Sequence, residues 1–343
     1  MPQRVLLSVE VVSGLSSVAT AFCPLLSTMP PPHKVSAAKQ QSTDDDAFTT
    51  TSTTASVTKP TSVRIAAVQP QLRDDDVHPL DAARSVIDLM RREVKDGIAT
   101  DGRKIELFCL PELCPLGYSE HTFQNYLNSD DLLQHIATMM ADFARDYKVH
   151  VCYGTIGSTV PSKTQQQQKR KRTIRQVVVN DLGEEIASYD KMFLCDYGDC
   201  AETRFFVPGN DLCSFDCGGF RFGVIICADM RYPNLSRKLS GFVEHQVDVI
   251  LQPAAFSRDV SFRTWKSFRE TRAVENGVYF VGVNYCGELF GETSINPPWI
   301  DEHNEPTVLG TEEGILIFDI ERSALDWARK EMPFYRQLRR EFG

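Results

Sequence analysis

The sequence of 343 residues lacks several features that mark broad functional classes. It has no uninterrupted apolar run of about 18 residues, so it does not predict a chain that crosses a membrane. It has no excess of positive charge, because 37 lysines and arginines stand against 46 aspartates and glutamates, for a net charge of −9. A nucleic-acid partner is therefore not expected, since such a surface has to neutralise phosphates.

Motifs for nucleotides, disulfide scaffolds and metals are missing too. No G-x-G-x-x-G opens a predicted helix and there is no P-loop. The ten cysteines are too sparse for a disulfide scaffold, and several lie in strand-like apolar runs, as is usual in a reducing compartment. The pairs Cys195/Cys200 and Cys213/Cys217 lack the repeated C-x-x-C spacing of zinc sites, so no metal is expected. None of the seven histidines lies in a motif of papain-like cysteine hydrolases, which disfavours that class.

The first 62 residues do not have the composition of a folded segment. Ten of the fourteen residues from Thr49 to Ser62 are serine or threonine, and such a stretch buries too little apolar area to offset its ordering entropy. We therefore predict a disordered tail over 1–62 and one folded domain over 63–343. The first 24 residues, with ATAFCP near their end, resemble a plastid presequence, and an unstructured tail explains them equally. Cytoplasm, plastid and mitochondrion all stay open as destinations.

The rest of the chain alternates between strand-like and helix-like segments. VRIAAVQ (63–69) predicts a strand, and the segment after it has apolar residues at helical spacing, which predicts an amphipathic helix. The residues of that stripe are Ala83, Val86, Ile87, Met90 and Val94. The same rhythm continues to a last helix from Ser323, and the polar, basic insert 162–172 is predicted as an exposed hairpin loop. This alternation predicts an α/β sandwich whose sheets are covered by helices.

Three reactive residues, Glu112, Lys191 and Cys227, each lie at the end of a predicted strand, where α/β sheets form their clefts. A glutamate in apolar surroundings can act as a general base, and a cysteine as a nucleophile. A lysine and the backbone N–H of Ala228 can stabilise negative charge on an oxygen. This set suits acyl transfer from an amide. Residue type alone does not select it, because a cysteine at a strand end is more often structural.

The order of the motifs in 63–343 resembles the nitrilase superfamily of carbon–nitrogen hydrolases. The segments that carry the resemblance are VRIAAVQ, LPELCPLGY around Glu112, YDKMFL around Lys191, VIICADMRYP around Cys227, QPAAF, and TWKSFRETRAVENGVYFVGVN from 264 to 284. The resemblance implies an α/β fold that is a four-layer α-β-β-α sandwich, preceded by the disordered N-terminal segment.

The resemblance also implies a role for each matching residue. It implies that Glu112 is the catalytic base, that Cys227 is the nucleophile, and that Lys191 and the Ala228 N–H form the oxyanion hole. Glu202, in the segment ETRFFVPGND, matches a second glutamate that is expected to pair with Lys191 or to orient the base. The implied reaction passes through a thioester and needs only the amide substrate and water, with no metal and no organic cofactor.

CADMRYPNLSRKL and the closing KEMPFYRQLRREF look most like the ω-amidase branch, which implies release of ammonia from a dicarboxylic monoamide such as 2-oxoglutaramate. Arg231 is the candidate for binding the free carboxylate of that substrate, and an ion pair of Arg231 with Asp229 or with the next helix is the equal alternative. Tyr118 and Phe193 are expected either to line the pocket or to belong to the core. Ala228, where the family often has tyrosine or glutamate, is expected to affect the shape of the pocket.

Other interpretations stay open. An N-carbamoyl amine amidohydrolase, an aliphatic amidase or a nitrilase would carry the same motifs, and a catalytically inactive binding module is disfavoured because the reactive set is intact. The resemblance implies a homodimer or a larger homo-oligomer. We expect its surface on the 233–245 helix and on the helix that carries Trp265, Phe268 and Val274.

Overall fold

The computed structural model describes residues 60–101, 103–159, 171–198, 200–241 and 245–332. Residues 1–59 of the predicted tail, most of the predicted hairpin insert and the segment after residue 332 lie outside the described residues. The first strand starts at Ser62, where 63 was expected. Residue 61 also belongs to the fold, because its carbonyl oxygen accepts a hydrogen bond of 2.9 Å from the backbone N–H of Arg322.

The described residues form strands, α-helices and two 3-10 helices. The strands are β1 (Ser62–Gln69), β2 (Leu107–Cys109), β3 (His150–Ser158), β4 (Arg172–Val179), β5 (Glu185–Asp190), β6 (Cys213–Cys217), β7 (Phe220–Val224), β8 (Val249–Pro253), β9 (Tyr279–Val283), β10 (Ser294–Asn296), β11 (Thr307–Val308) and β12 (Gly314–Glu321). The α-helices are α1 (Pro79–Asp101), α2 (Glu120–Tyr126), α3 (Asp130–Tyr147), α4 (Pro233–Gly241), α5 (Arg263–Asn276) and α6 (Arg322–Glu331). The 3-10 helices are Glu202–Arg204 and Cys227–Arg231.

The strands form two six-stranded sheets, ordered β12-β1-β2-β3-β4-β5 and β11-β10-β9-β8-β7-β6. Parallel pairs lie at the centre of each sheet, β1-β2-β3 in the first and β7-β8-β9 in the second, and the outer pairs are antiparallel. Helices α1 and α3 pack on the first sheet, and α4 and α5 on the second. The expected α-β-β-α sandwich is therefore confirmed.

The central strands of the second sheet bury both of their faces. In β8, Val249 and Leu251 belong to the large apolar cluster that the two sheets share, whereas Ile250 packs with the residues of α4 and α5. In β9, Val281 and Phe280 divide between the same two clusters. Successive side chains of a strand point to opposite faces, so a strand that is covered on both sides has a continuous apolar sequence.

The helix stripes predicted from the sequence match the burial of the helices only in part. All five stripe residues of α1 are buried, which confirms that prediction. In α5, however, the prediction that Trp265 lies on a surface for a second copy of the chain is wrong. Trp265 is fully buried, its ring centroid lies 5.1 Å from that of Phe256, and its indole N–H donates to the carbonyl oxygen of Glu292 at 3.0 Å. Phe268 and Val274 of the same helix are partly exposed.

No helix in the described ranges combines the length and the apolar character that a membrane span needs.

Candidate active site

Three of the predicted residues come together from loops that follow strands of the two sheets. Glu112 follows β2 and Lys191 directly follows β5, both in the first sheet, whereas Cys227 follows β7 in the second. The Nζ of Lys191 donates a hydrogen bond of 2.7 Å to Oε1 of Glu112. The charges of both groups act on the Cys227 thiol. The structure therefore unites a glutamate, a lysine and a cysteine in one site.

The loop of Glu112 is fixed by close packing and by two donors. A Cβ on Gly154 of β3 would lie 2.2 Å from the backbone nitrogen of Leu113, so only glycine allows this approach. The phenol of Tyr285 donates to the backbone carbonyl oxygen of Glu112 at 2.8 Å. The backbone N–H of Ala255 donates to Oε2 of the Glu112 carboxylate at 3.1 Å. The carboxylate thus has one oxygen on Lys191 and the other on a backbone donor.

The surroundings of Glu112 move its protonation into the neutral range. Burial raises the pKa of its carboxyl to about 7, the positive charge of Lys191 acts in the opposite direction, and the negative charge of Glu202 adds to the rise. A carboxyl with this pKa exists in both protonation states near neutral pH. That property suits a group which accepts a proton in one step and donates it in the next.

Lys191 lies between two carboxylates in a site without exposure to solvent. Its Nζ is 2.7 Å from Oε1 of Glu112 and 2.7 Å from Oε1 of Glu202, and all three side chains are 0% exposed. Burial by itself lowers the pKa of Lys191, but the two carboxylates outweigh this effect and the pKa lies well above its usual value. Lys191 is therefore an ammonium ion. Removal of any member of this set would leave buried charge without its partner.

Glu202 connects this set to the neighbouring loop. Its Oε1 accepts hydrogen bonds from Lys191 and from the phenol of Tyr118. Its Oε2 accepts the backbone N–H of Cys195 at 2.8 Å, and its own N–H donates to the carbonyl oxygen of Cys195 at 3.2 Å. Tyr118, considered as a pocket or core residue from the sequence, thus contributes its hydroxyl to the buried polar network.

Cys227 is partly exposed and begins a 3-10 helix with an unusual backbone conformation. Its φ of 44° lies in the left-handed region, which costs energy for a residue with a side chain and is often found at functional sites. Burial, and after it the negative charge of Glu112, raises the pKa of the Cys227 thiol well above its usual value. The resting group is therefore a thiol that needs a proton acceptor before it can act as a nucleophile.

Two further groups lie next to the cysteine: Gln252, which the sequence did not identify, and the backbone N–H of Ala228, which the resemblance implied as an oxyanion donor. The side-chain amide of Gln252 donates to the backbone carbonyl oxygen of Cys227 at 3.2 Å. The backbone N–H of Ala228 belongs to the first turn of the 3-10 helix, where no earlier carbonyl of that helix is in place to accept it. The only sequence signal for Gln252 was its position at the start of the QPAAF motif.

Asp229 fixes the start of the same 3-10 helix. It is fully buried and accepts the backbone N–H of Ile226 at 2.9 Å, the backbone N–H of Phe193 at 2.8 Å and the phenol of Tyr189 at 2.7 Å. Burial raises the pKa of its carboxyl to about 6. The ring of Phe193 stacks on Tyr232 with 3.4 Å between the centroids. The structure thus places the backbone of Phe193 near the site and its ring on a neighbouring tyrosine.

A cavity of about 130 Å³ opens at the cysteine. Its walls include Cys195, Cys200, Cys227, Ala228, Arg231 and Phe256. The guanidinium carbon of Arg231 lies 5.4 Å from the ring centroid of Phe256, and one of its nitrogens donates to Oγ of Ser261 at 3.2 Å. In the described part of the chain Arg231 forms no ion pair, and the carboxylate of Asp229 is bound to other donors. Arg231 therefore presents a positive charge to the cavity.

Within the ranges that the structure covers, no group of three or more histidine, cysteine, aspartate or glutamate side chains is arranged to hold a metal ion. The nine cysteines in those ranges are free thiols.

Comparison with protein families and curated proteins gives a consistent result. The carbon-nitrogen hydrolase family model matches residues 64–330. The chain is 25% identical over 290 residues to the omega-amidase NIT2 of Homo sapiens, across 81% of this chain and 96% of that protein. It is 25% identical over 258 residues to nitrilase homolog 2 of Dictyostelium discoideum, across 71% and 73%. It is 28% identical over 177 residues to the deaminated glutathione amidase of Bos taurus, across 48% and 52%.

Solved structures of one bacterial enzyme share the fold. A mutant of the amidase from Nesterenkonia AN1, a member of the nitrilase superfamily, matches with a TM-score of 0.61 and 25% identity, across 79% of this chain and 96% of that one. A second mutant of that amidase, which shows the result of Michael addition of acrylamide at the active-site cysteine, matches with a TM-score of 0.62 and 25% identity, across 79% and 98%.

Proposed function

The chain belongs to the carbon-nitrogen hydrolase family, and we propose its substrate class and the roles of its residues from that premise. It is an amidase of the nitrilase superfamily that acts through a cysteine nucleophile. The proposed substrate is a small linear dicarboxylic monoamide, as for an ω-amidase. The observation that carries this proposal is Arg231, a cation in the wall of the cavity at Cys227 that forms no ion pair within the described residues.

The proposed reaction begins with proton transfer from Cys227 to Glu112. The thiol has a raised pKa and the carboxyl has a pKa of about 7, so the proton moves as the sulfur attacks the amide carbon. The C–S bond forms, the carbonyl π electrons move to oxygen, and a tetrahedral intermediate results.

The negative oxygen of that intermediate is assigned to Lys191 and the backbone N–H of Ala228. Lys191 is already an ammonium ion, held between two carboxylates without exposure to solvent. Its ammonium group is thus held in position before the reaction begins. A donor of this kind lowers the barrier by about 3 kcal/mol in comparable sites.

Collapse of the intermediate breaks the C–N bond. Glu112 returns its proton to the leaving nitrogen, ammonia departs, and Cys227 remains as a thioester. Water then attacks the thioester carbon while Glu112 accepts a proton from it. The C–S bond breaks, Glu112 passes that proton to the departing sulfur, and the carboxylic acid and the Cys227 thiol are released.

The size and charge of the cavity support the substrate class. A volume of about 130 Å³ is small, since pockets for drug-sized ligands measure about 300–1,000 Å³. The guanidinium of Arg231 can bind a carboxylate through two parallel hydrogen bonds. The human omega-amidase, of which the chain covers 96%, supports the same class. A terminal carboxylate on Arg231 would leave the other end of a short chain at Cys227.

Ammonia release from a matched pair of amides tests the substrate class. Succinamate and butyramide differ only in that a methyl group replaces the carboxylate. We expect kcat/KM for succinamate to exceed that for butyramide by about a hundred-fold, and we expect Arg231→Met to bring the ratio near one. Equal use of the two amides by the wild-type enzyme would contradict the proposal, and so would an unchanged ratio in Arg231→Met.

A simple aliphatic amidase is the second candidate, because a small cavity also suits an amide with no carboxylate and the Nesterenkonia enzyme is an amidase. The same comparison separates the two candidates, since butyramide would then equal or exceed succinamate. 2-Oxoglutaramate, N-carbamoyl-β-alanine and a nitrile complete the substrate panel.

A homo-oligomer also remains a proposal. Phe268 and Val274 leave partly exposed apolar surface on α5, which a second copy of the chain would cover. Light scattering of the full chain at micromolar concentration should give at least the mass of a dimer, and a strict monomer would contradict this.

A further inference from the structure

Two thiols besides Cys227 line the cavity. Cys195 and Cys200 both lie in its wall, and they are the only other cysteines in the described ranges that are not buried. Each of the two thiols shifts the pKa of the other, as expected for two groups in the wall of one small cavity. The remaining thiols in those ranges are inside the sheets and loops of the core. They are Cys109, Cys114, Cys152, Cys213, Cys217 and Cys286.

The backbone around the pair is anchored to the catalytic network. Glu202 accepts the N–H of Cys195 on its carboxylate at 2.8 Å and donates its own N–H to the carbonyl oxygen of Cys195 at 3.2 Å. The N–H of Cys200 donates to the carbonyl oxygen of Tyr197 at 3.2 Å, and the phenol of Tyr118 lies 3.7 Å from the sulfur of Cys200. The backbone of Cys195 is therefore bound to the glutamate that holds Lys191, and Cys200 lies beside Tyr118, which also binds that glutamate.

The two thiols differ in acidity. Their interaction lowers the pKa of Cys195 to about 6 and raises the pKa of Cys200 far above its usual value. Cys195 is therefore the more acidic thiol of the pair, whereas burial raises the pKa of the Cys227 thiol. A thiolate with a neighbouring thiol is the arrangement that reacts with peroxides and then forms a disulfide.

We propose that Cys195 and Cys200 are an oxidation site for hydrogen peroxide or an organic hydroperoxide, and that their reversible disulfide closes the cavity at Cys227. With hydrogen peroxide, the Cys195 thiolate attacks one oxygen, the O–O bond breaks, and a sulfenic acid and hydroxide form. The hydroxide takes up a proton to give water. The Cys200 thiol then attacks the sulfenic sulfur, the S–S bond forms, and a second water leaves. The two cysteines lose two electrons, and the peroxide is reduced.

The disulfide would act on the site in two ways. It brings two sulfur atoms of the cavity wall to about 2 Å from each other, which changes the wall next to Cys227. It also pulls on the backbone of Cys195, which both the carboxylate and the N–H of Glu202 bind. Displacement of Glu202 would change the position of Lys191. The effect on turnover rests on the proposed function, whereas formation of the disulfide does not.

Peptide mapping of the full chain tests the proposal. Trypsin releases residues 192–204, which contain Cys195 and Cys200 and no other cysteine, and residues 222–231, which contain only Cys227. After mild hydrogen peroxide, we expect the first peptide to lose about 2 Da and to take up no iodoacetamide. We expect iodoacetamide labelling of Cys227 and amide turnover to fall by about ten-fold or more, and dithiothreitol to restore both.

Variants separate the attacking thiol from the resolving thiol, each compared with its own untreated sample. In Cys195→Ser, peroxide should change neither Cys227 labelling nor amide turnover, so the ratio of treated to untreated sample should be near one for both. Cys200→Ser should form a sulfenic acid at Cys195 that dimedone traps. Cys286→Ser, which changes a buried thiol outside this cavity, should respond to peroxide like the wild type.

Three results would overturn the proposal. These are no disulfide in the 192–204 peptide, oxidation of Cys227 before that peptide, and a disulfide that changes neither Cys227 labelling nor turnover. Disulfide mapping and Cys227 labelling need no substrate. They still decide the proposal if no amide is turned over, an outcome that would count against the proposed function alone.

Discussion

The two sheets supply the site with side chains in opposite physical states. Glu112 and Lys191, from the first sheet, are 0% exposed and ion-paired. Cys227 and Arg231, from the second sheet, are partly exposed, the cysteine with a left-handed backbone and the arginine without an ion pair in the described ranges. The first sheet thus supplies buried groups that hold one another by ion pairs, and the second supplies partly exposed groups in the wall of the cavity.

This difference follows from the cost of burying charge. A buried ion survives only with partners in good geometry, so Glu112, Lys191 and Glu202 must hold one another before substrate arrives. A group that binds substrate must instead be open to exchange water for ligand. Substitutions on the second sheet should therefore lower turnover with little loss of stability, whereas substitutions on the first sheet should lower both.

The largest loss of turnover is expected on the second sheet, at Cys227. Cys227→Ala removes the nucleophile, so kcat/KM should fall on the order of 10⁴-fold or more. The melting temperature should change little, because the side chain is small and partly exposed. Cys227→Ser is the control of similar shape and should also be inactive. Ammonia release and thermal unfolding measured on the same samples check both parts. Turnover within ten-fold of wild type in the alanine variant would remove Cys227 from the mechanism.

On the first sheet, Lys191→Ala should lower turnover and stability together. It leaves the carboxylates of Glu112 and Glu202 buried without their shared partner. We expect kcat to fall on the order of 10²–10³-fold and the free energy of unfolding to fall by about 3–5 kcal/mol. Glu202→Ala should act in the same direction with a smaller effect on turnover. Arg231→Ala is the matched cation from the second sheet and should lower succinamate turnover with little change in denaturant midpoint. Equal losses of stability in Lys191→Ala and Arg231→Ala would contradict the proposed difference between the two sheets.

The pH dependence of turnover should report the buried carboxyl of the first sheet. Glu112 must be ionised to accept the thiol proton and has a pKa of about 7, so kcat/KM should rise as the pH rises through about 7. One unit below that pKa, it should be about ten-fold below its plateau. Asp229, whose pKa is about 6, is the nearby alternative, and Asp229→Asn should keep the limb at about 7. If the rise of kcat/KM near pH 7 disappeared in Asp229→Asn, the titrating group would be Asp229 and the assignment to Glu112 would be wrong.

The smallest effect is expected from the segment before both sheets. Removal of residues 1–59 should change kcat/KM and the melting temperature very little, within about two-fold for kcat/KM, because a serine- and threonine-rich segment contributes little apolar burial. Steady-state kinetics and thermal unfolding of the shortened chain measure this directly. A large loss of either would mean that the segment belongs to the folded domain. Fusion of residues 1–59 to a fluorescent protein would separately test the presequence interpretation.

Local patterns in the sequence predicted much of the fold. The helical spacing from Ala83 to Val94 matched the buried face of α1, because a single amphipathic stripe determines which side of a helix packs. The position of Trp265 was wrong, since the amphipathic pattern of α5 does not reveal that its indole reaches the carbonyl of Glu292.

For the site, too, residues in local motifs were predicted from the sequence, whereas contacts between distant segments were missed. Glu112, Lys191 and Cys227 were predicted because each lies in a segment that resembles a motif of the nitrilase superfamily, and the structure brings the three together. The support that Asp229 gives to the cysteine loop was missed, because it depends on donors 36 and 40 positions away in the chain. The pair Cys195/Cys200 was considered as zinc ligands and rejected, and no role at the site was predicted for it, because its spacing does not show that both residues line the cavity.

Mass spectrometry of an acid-quenched reaction with succinamate tests the central claim most directly, namely that Cys227 of the second sheet forms the covalent bond to the substrate while the buried, ion-paired groups of the first sheet assist. The account predicts a protein heavier by about 100 Da, the mass of one succinyl group in a thioester. The added mass should lie on the 222–231 peptide, which contains Cys227, and should be absent from Cys227→Ala. A succinyl group on any other peptide, or the same adduct in Cys227→Ala, would contradict it.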